Sequence, residues 1–268
     1  MAAHAFMLLW KHGRAACLVA ALGLSLGACS GEAQPGGQSA AQRERLIGLS
    51  TSLPIYWPEA GNIGDMLGGG EQVHWARTEL EALGEVRPLD TLTGGKNGAL
   101  GLPADALLLL VQPYPFSPDE LVALDEWVRA GGRVLVFADP LATFHSDFAL
   151  GDRRRPQDIA MLSPILERWG LELAFDREQP AGQRMGEAFG VEFPVNLPGA
   201  LHEAQGTEAN CRIAPSQLAA RCRVGQGQAI VLADSALFDA ESHEDSAEDE
   251  AARAQTLRGL VALTQSTS

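Results

Sequence analysis

Apolar runs and helical repeats divide the chain into strands and helices. Residues 106–112 form a nearly continuous apolar run of strand length, typical of a strand covered on both faces. Ser117 and Glu120 have the spacing of a capping box, and apolar residues then recur at helical intervals up to Gly131. Residues 133–138 form a second apolar run. Strand, helix and strand in this order predict a βαβ unit whose strands are parallel and adjacent.

The same alternation continues less strongly over the rest of the chain. It predicts strands at residues 45–49, 85–89, 171–175 and 229–233, and helices at residues 71–83, 158–169 and 251–263. We interpret residues 45–268 as a single α/β domain with an open, mostly parallel, doubly wound sheet and helices on both faces. Residues 180–224 break the pattern with short runs rich in Gly, Pro and Asn, which predict a β-rich excursion.

Residues 1–28 have the parts of a bacterial lipoprotein signal peptide. Lys11 and Arg14 are basic, residues 15–26 are apolar, and Leu26-Gly27-Ala28-Cys29 has the form of a lipobox. The apolar part is shorter than the roughly 20 residues that a membrane helix needs. We predict that Cys29 becomes the lipid-modified first residue. The alternatives are an ordinary secretory signal followed by a chance cysteine, or a buried amphipathic helix.

A lipid at Cys29 predicts where the protein is located. Diacylglycerol and N-acylation supply several acyl chains, palmitate among them, and two or more chains anchor a protein stably. Residues 29–44, rich in Gly, Gln, Ser and Ala, predict a flexible tether. The domain is then expected to face the periplasm. Ser30 in place of Asp after the cysteine favours the outer membrane, by resemblance to sorted lipoproteins of diderm bacteria.

The charge of the chain restricts its partners. It carries 34 acidic and 20 basic side chains, a formal net charge of −14, and loss of Lys11 and Arg14 with the signal changes this to −16. This excludes nucleic acid as the expected partner, because phosphate binding requires a basic face. It also argues against attachment of the folded part to anionic lipids. The expected membrane contact is therefore the lipid anchor.

Two cysteines remain in the folded part, Cys211 and Cys222. Short strands flank Pro215-Ser216, and a hairpin centred between Ser216 and Gln217 places the two cysteines opposite each other, close enough for a disulfide. The alternatives are a metal pair or a nucleophilic cysteine. Since no histidine or third cysteine lies near them in sequence, we favour the disulfide.

Polar residues follow several of the predicted strands, where ligands bind in an open α/β sheet. The residues of this candidate crevice are Ser50, Thr51, Ser52, Tyr114, Asp139, Asp234 and Ser235. The glycine-rich segments lack the residues that complete phosphate or dinucleotide motifs, so we predict no cofactor.

Asp139 and Asp234 are the candidate carboxylates for chemistry. They could act as an acid and a base, or bind a metal together with His145 and Asp147. The alternative, which we favour, is that each caps the loop after its strand. The acidic run 239–250 could similarly bind Ca²⁺, but it lacks the ligand spacing of a calcium loop and is better interpreted as a solvated loop. We therefore predict no metal site.

Several segments resemble the gliding-motility-type auxiliary components of ABC transport systems, within the class I glutamine-amidotransferase-like group. They are residues 107–113, 117–121, 130–140 and 231–235. The resemblance implies a flavodoxin-like fold and an envelope protein without established catalysis that works beside a transporter or binds a ligand. Folds of the wider group place a cysteine where this chain has Gln112. The chain departs from the family in its lipid anchor and its lack of a membrane helix.

These observations favour a non-enzymatic lipoprotein whose α/β domain binds a partner protein or a small envelope ligand, such as a glycan, as an auxiliary component of an ABC-type transport system. The alternative is a periplasmic hydrolase that acts on a glycan or sugar through Asp139 and Asp234, as the resemblance to trehalose-utilisation-like members of the wider group suggests. A structural lipoprotein without a pocket ligand is the third possibility.

Overall fold

The computed structural model describes residues 45–59, 73–146, 148–204, 210–239 and 246–265. The predicted signal peptide, Cys29 and the predicted tether lie outside these residues. Within the described ranges, no helix has both the length and the apolar character needed to cross a bilayer.

The described residues form a mixed α/β structure. Its strands are β1 (Leu46–Thr51), β2 (Glu85–Pro88), β3 (Leu107–Val111), β4 (Arg133–Phe137), β5 (Leu171–Ala174), β6 (Arg184–Ala188), β7 (Val191–Val195), β8 (Ala200–Glu203), β9 (Asn210–Ile213), β10 (Ala219–Val224) and β11 (Gly227–Leu232). Its α-helices are α1 (Trp75–Leu83), α2 (Pro118–Arg129), α3 (Ser163–Arg168) and α4 (Ala247–Leu263).

A seven-stranded sheet forms the centre, in the order β2-β1-β3-β4-β11-β10-β9. The first five strands are parallel, which confirms the predicted mostly parallel sheet. Strands β10 and β9 extend it, with β10 antiparallel to β11 and β9 antiparallel to β10. The rest of the predicted β-rich excursion forms the β6-β7 hairpin and β8, which pairs with β5. Part of the excursion therefore belongs to the central sheet.

The predicted βαβ unit is confirmed as β3-α2-β4. The Ser117 side chain accepts a hydrogen bond from the amide of Glu120, and the Glu120 carboxylate accepts one from the amide of Ser117, as a capping box requires. Gly131 ends the helix with a φ of 118°. A Cβ atom on Gly132 would lie 2.4 Å from the Trp127 ring, so only glycine fits this turn.

The core consists of one apolar layer on each face of the sheet. Leu108 and Leu110 of β3 pack with α2 and α3, whereas Leu107 and Leu109 pack with α1 and α4. Both faces of β3 are therefore covered, which explains its continuous run of buried leucines.

The predicted helix over residues 158–169 is wrong at its start, because α3 begins at Ser163. The preceding backbone makes long-range bonds instead of helical ones. The amide of Ala160 donates to the carbonyl of Asp139 at 2.8 Å, and the carbonyl of Asp158 accepts from Ala142 at 2.8 Å. Helix α1 likewise begins at Trp75, four residues after the start of the helix predicted over residues 71–83. Helix α4 begins at Ala247, four residues before its predicted start, behind a second capping box of Ser246 and Asp249.

The predicted disulfide between Cys211 and Cys222 is present. The two residues are direct partners in the antiparallel β9-β10 pair, with Cα atoms 4.0 Å apart. In the chain-entropy model, closing a loop of 11 residues stabilises the folded state by about 2.8 kcal/mol. The bond fastens the edge strand β9 to the sheet.

Candidate functional site

The candidate crevice residues lie at one edge of the sheet but form two groups. Ser50, Thr51 and Ser52 at the end of β1, with Tyr114 after β3, line an open cleft. Asp139 after β4, with Asp234 and Ser235 after β11, are buried beside it and do not line it.

The open group forms what we call the strand-end cleft, a depression of about 620 Å³ beyond the ends of β1, β2 and β3. Its aromatic lining residues are Tyr56, Trp57, Tyr114, Phe116 and Phe148, and its charged ones are Glu59, Asp90, Glu120, Arg153 and Arg154. A volume in this range, combined with apolar walls and a few polar groups, is typical of small-molecule sites.

The aromatic rings of the strand-end cleft are held in place by neighbours. Tyr56 and Trp57 meet edge to face with centroids 4.9 Å apart, and the Arg77 guanidinium lies 4.3 Å from the Tyr56 ring. Arg154 lies 4.2 Å from the Phe148 ring and is fixed by Asp152 at 2.7 Å. Trp57 remains 69% exposed. The cleft therefore presents an open aromatic surface that is oriented before any ligand arrives.

Two hydroxyls at the cleft floor, those of Thr51 and Ser52, already form hydrogen bonds within the protein. Thr51 Oγ1 accepts from the amide of Leu53 at 2.9 Å. Ser52 Oγ donates to the carbonyl of Gln112 and accepts from the amide of Gln157 at 2.9 Å. Burial raises the pKa of the Tyr114 phenol, and the charge of Glu59 raises it further. Tyr114 therefore stays a neutral hydrogen-bonding phenol at physiological pH.

The buried aspartates cap backbone amides. Asp139 Oδ1 accepts from the amide of Leu141 at 2.9 Å, and its Oδ2 accepts from the amide and hydroxyl of Ser235 at 3.1 and 2.8 Å. Asp234 accepts from the amides of Ala236 at 2.6 Å and Asn196 at 2.9 Å. This is the capping arrangement favoured by the sequence, and it directs all four carboxylate oxygens at protein donors.

Both carboxyl groups bind protons unusually tightly. Burial raises the pKa of Asp139 to about 6, although the hydrogen bonds from Ser235 and Leu141 oppose the rise. Burial, and then the charge of Asp139, raise the pKa of Asp234 well above its usual range. Two neighbouring carboxylates disfavour each other's ionisation, so they titrate as a pair.

Gln112 connects the two groups. It follows β3 with a φ of 42°, a left-handed conformation that costs free energy for a residue other than glycine. Its side chain is fully buried, donates to the carbonyls of Asp139 at 3.1 Å and Gln157 at 3.0 Å, and accepts from the amide of Asp139 at 3.0 Å. Every polar atom of this side chain is thus used to tie β3 to β4 and to the loop before α3.

Sequence reasoning missed part of the site. Trp57 and Phe148 lie in loops outside the strand ends, and the bonding partners of Gln112 lie 27 and 45 residues away. The dipeptide Tyr56-Trp57, which follows soon after the serine-rich end of β1, is the signal that could have indicated an aromatic cleft.

The metal hypothesis has no support among the described residues, where no group of His, Cys, Asp and Glu side chains could hold an ion. His145 is exposed, and Asp147 lies outside the described residues. Of the acidic run, residues 240–245 also lie outside them.

Comparisons with known proteins give a family and a fold. The model of the family described as a domain of unknown function (DUF4350) matches residues 67–250. No curated protein matches the chain.

The fold resembles parts of solved structures. The exo-β-1,4-mannosidase Op5Man5 from Opitutaceae bacterium strain TAV5 is similar with a TM-score of 0.50 and 16% identity, over 81% of this chain and 36% of that one. A β-galactosidase from Bacillus circulans sp. alkalophilus has a TM-score of 0.42 and 12% identity, over 83% and 31%. A putative ThuA-like protein from Bacteroides uniformis has a TM-score of 0.42 and 9% identity, over 85% and 95%. The chain thus spans about a third of the length of these glycosidases.

Proposed function

The chain belongs to the family described as a domain of unknown function (DUF4350), and we propose that it is a non-catalytic envelope protein that binds a glycan in the strand-end cleft. The observation that carries this proposal is that the polar residues at the carboxyl ends of the parallel strands form two groups, one open and one buried. An open cleft with exposed aromatic rings lies beside two carboxylates that are buried and bonded to backbone amides.

The chemistry of the strand-end cleft suits a sugar. Aromatic faces such as those of Trp57 and Tyr114 pack against the apolar faces of pyranose rings, while their polar edges and nearby side chains bind hydroxyls. Asp90 and Arg153 supply such polar groups on the walls. Glu120 is less suited, because Thr91 and the amide of Leu92 already donate to its carboxylate at 2.8 and 3.0 Å.

Gln112 supports a binding role over a catalytic one. The strand-to-loop turn after β3 has the left-handed backbone in which hydrolases of other folds present a nucleophile. Here the side chain at that turn points inward and bonds three backbone groups. The flavodoxin-like fold implied by the family resemblance is part of this proposal, and the mostly parallel sheet supports it.

Loss of a cleft aromatic is expected to weaken glycan binding without unfolding the protein. Trp57→Ala and Tyr114→Ala should each weaken the binding of soluble oligosaccharides, measured by calorimetry on a panel that includes peptidoglycan-derived and neutral tetrasaccharides, by at least about tenfold. Both side chains are substantially exposed, so the melting temperature should change little. Val122→Ala, which removes an exposed apolar side chain on α2, is the control and should leave binding unchanged. If no member of the panel binds the wild-type protein, the proposal fails.

We propose the envelope location for the reasons given by the sequence, with Cys29 as the lipidated residue and the disulfide as a feature suited to an oxidising compartment. Mass spectrometry of the native protein is expected to show a chain that begins at Cys29 and carries acyl groups. Cys29→Ala is expected to remain uncut and unacylated. An ABC-type permease should co-purify with the wild-type protein from mild detergent, as the family resemblance implies. An unacylated, uncut wild-type amino terminus would contradict the anchor.

A hydrolase is the second candidate, favoured by the raised pKa of the Asp139 and Asp234 carboxyls. Such pKa values suit a general acid near neutral pH. The hydrogen bonds to both aspartates oppose this role, because a catalytic acid must reach the substrate. The Asp139→Asn variant separates the two candidate functions.

A further inference from the structure

A second cavity lies at the opposite edge of the central sheet from the strand-end cleft. It has a volume of about 390 Å³ and lies where β4 and β11 begin, beside β9, β10 and the end of α4. Among its described lining residues are four arginines, Arg133, Arg212, Arg221 and Arg223, and no aspartate or glutamate. We call it the arginine pocket. Such a concentration of one charge is unexpected in a chain with a net charge of −14.

Strand pairing places these arginines on one face of the sheet. Arg223 pairs with Gln228, and Gln228 pairs with Arg133, in one row across β10, β11 and β4. In the adjacent row, Arg221 pairs directly with Arg212 of β9. Because paired residues point to the same face and alternate residues do so along a strand, all four side chains share the face covered by α4.

Two of these arginines, Arg212 and Arg221, are direct partners on neighbouring strands. Like charges directly opposite each other on neighbouring strands are destabilising. The guanidinium carbons of Arg212 and Arg221 lie 5.2 and 5.3 Å from the centroid of the same ring, Phe189, so their charges are held together. Burial, and then the charge of Arg212, lower the pKa of Arg221. Arg133, Arg212 and Arg223 form no ion pair with any carboxylate in the described ranges.

We propose that the arginine pocket binds a phosphate group carried by a polyol. Planar guanidinium groups bind phosphate oxygens in pairs, and several of them converge here. Asn210, Gln228 and Thr264 line the same pocket and supply neutral donors and acceptors for the hydroxyls of the polyol. The volume of about 390 Å³ is sufficient for a phosphorylated sugar or a lipid headgroup.

The arginine pocket lies on the side of the sheet where the first strand, β1, begins. Strand β1 is parallel to its neighbour β3, as β3 is to β4, so β1 begins at the same edge of the sheet as Arg133. The chain that leads back to Cys29 therefore joins the domain on the side of the arginine pocket. An anionic lipid headgroup is thus one source of the phosphate group, and a soluble phosphate ester is the other.

The test measures phosphate binding to the full chain. Wild-type protein is titrated with glycerol phosphate by calorimetry, and separately mixed with phosphatidylglycerol or phosphatidylcholine vesicles. Arg212→Gln and Arg223→Gln are each expected to weaken binding at least about tenfold. Arg87→Gln removes the same charge from an exposed site on β2 and is expected to bind like the wild type.

The arms of this test distinguish the two sources. Arginine-dependent binding of glycerol phosphate, with no preference between the vesicles, indicates a soluble phosphate ester. Arginine-dependent preference for phosphatidylglycerol vesicles indicates a lipid headgroup. Failure of all probes to bind, or an equal loss in Arg87→Gln, overturns the proposal. The strand-end cleft lies at the other edge of the sheet, so this result is independent of glycan binding.

Discussion

Replacing Gln112 with alanine is expected to destabilise the protein by about 4 kcal/mol, a large part of the stability of a typical domain. The fully buried Gln112 side chain makes three hydrogen bonds to backbone groups of Asp139 and Gln157. Alanine would leave the amide of Asp139 and the carbonyl of Gln157 without a partner in the protein interior, and each such group costs about 1 to 3 kcal/mol. The carbonyl of Asp139 loses one of two bonds, because it still accepts from the amide of Ala160. Urea denaturation monitored by tryptophan fluorescence would measure the loss.

Two further variants separate the side chain from the backbone. Gln112→Gly loses the same hydrogen bonds but adopts the φ of 42° without strain, so it should be about 1 kcal/mol more stable than Gln112→Ala. Gln217 is also left-handed, with a φ of 60°, but its side chain is hydrogen-bonded at the surface to His202. Gln217→Ala should therefore cost less than about 1 kcal/mol. Equal losses at Gln112 and Gln217 would contradict the role given to Gln112.

The features that were predicted correctly from the sequence are those determined by residues close together along the chain. The β3-α2-β4 unit depends on a run of leucines, a capping box and a glycine turn, all of which act within a few residues. The disulfide depends on a hairpin that closes over 11 residues. In both cases local spacing determines the geometry.

The features not predicted depend on distant pairings. Strand β11 pairs in parallel with β4, whose residues lie 95 positions earlier in the chain, and no local pattern specifies that partner. Helix α3 is shorter than its apolar spacing predicts, because Gln112 and Asp139 bind the backbone at Gln157 and Ala160. These bonds connect residues that are widely separated along the chain.

The sequence predicted which residues meet at one edge of the sheet, but not which of them are open to solvent and which are buried. Parallel strands bring Ser50, Thr51, Asp139 and Asp234 to one edge, as expected. Their division into an open cleft and a buried pair depends on loops that cover the carboxylates, such as the one that contributes the amide of Asn196. Hydropathy along the chain carries no information about which strand end a loop will cover.

The buried carboxylates should give the stability of the protein a distinctive pH dependence, which Asp139→Asn would remove. The pKa of Asp139 is about 6 in the folded protein and 3.8 is its ordinary value, so the folded state binds the proton more tightly than the unfolded chain does. Its stabilising contribution is complete below pH 3.8 and is lost as the pH rises through about 6. The full change is about 3 kcal/mol. Asp234 acts in the same direction, because its pKa is raised too.

The variant should therefore cost more stability in acid than at neutral pH. The asparagine amide presents one acceptor oxygen, so at either pH it cannot accept from the donors of both Leu141 and Ser235. Near pH 4 it also lacks the proton-linked stability of the wild type. Near pH 7 the wild type has lost its proton-linked stability, while the neutral variant keeps its own. Urea denaturation at both pH values should thus give a destabilisation that is smaller at pH 7 by about 2 to 3 kcal/mol.

A control and an activity measurement complete the test. The pKa of Asp152 is lowered to about 2 by its hydrogen bonds with Arg154, so its stabilisation is present above pH 3.8 and is lost as the pH falls through about 2. Asp152→Asn should accordingly cost nearly the same at pH 4 as at pH 7, without the smaller cost at pH 7 expected of Asp139→Asn. The same Asp139→Asn protein, assayed on oligosaccharides, decides between the two functions. Loss of a sugar-cleaving activity with unchanged stability at both pH values would establish the hydrolase, because a carboxyl that only caps Ser235 and Leu141 affects folding and not turnover.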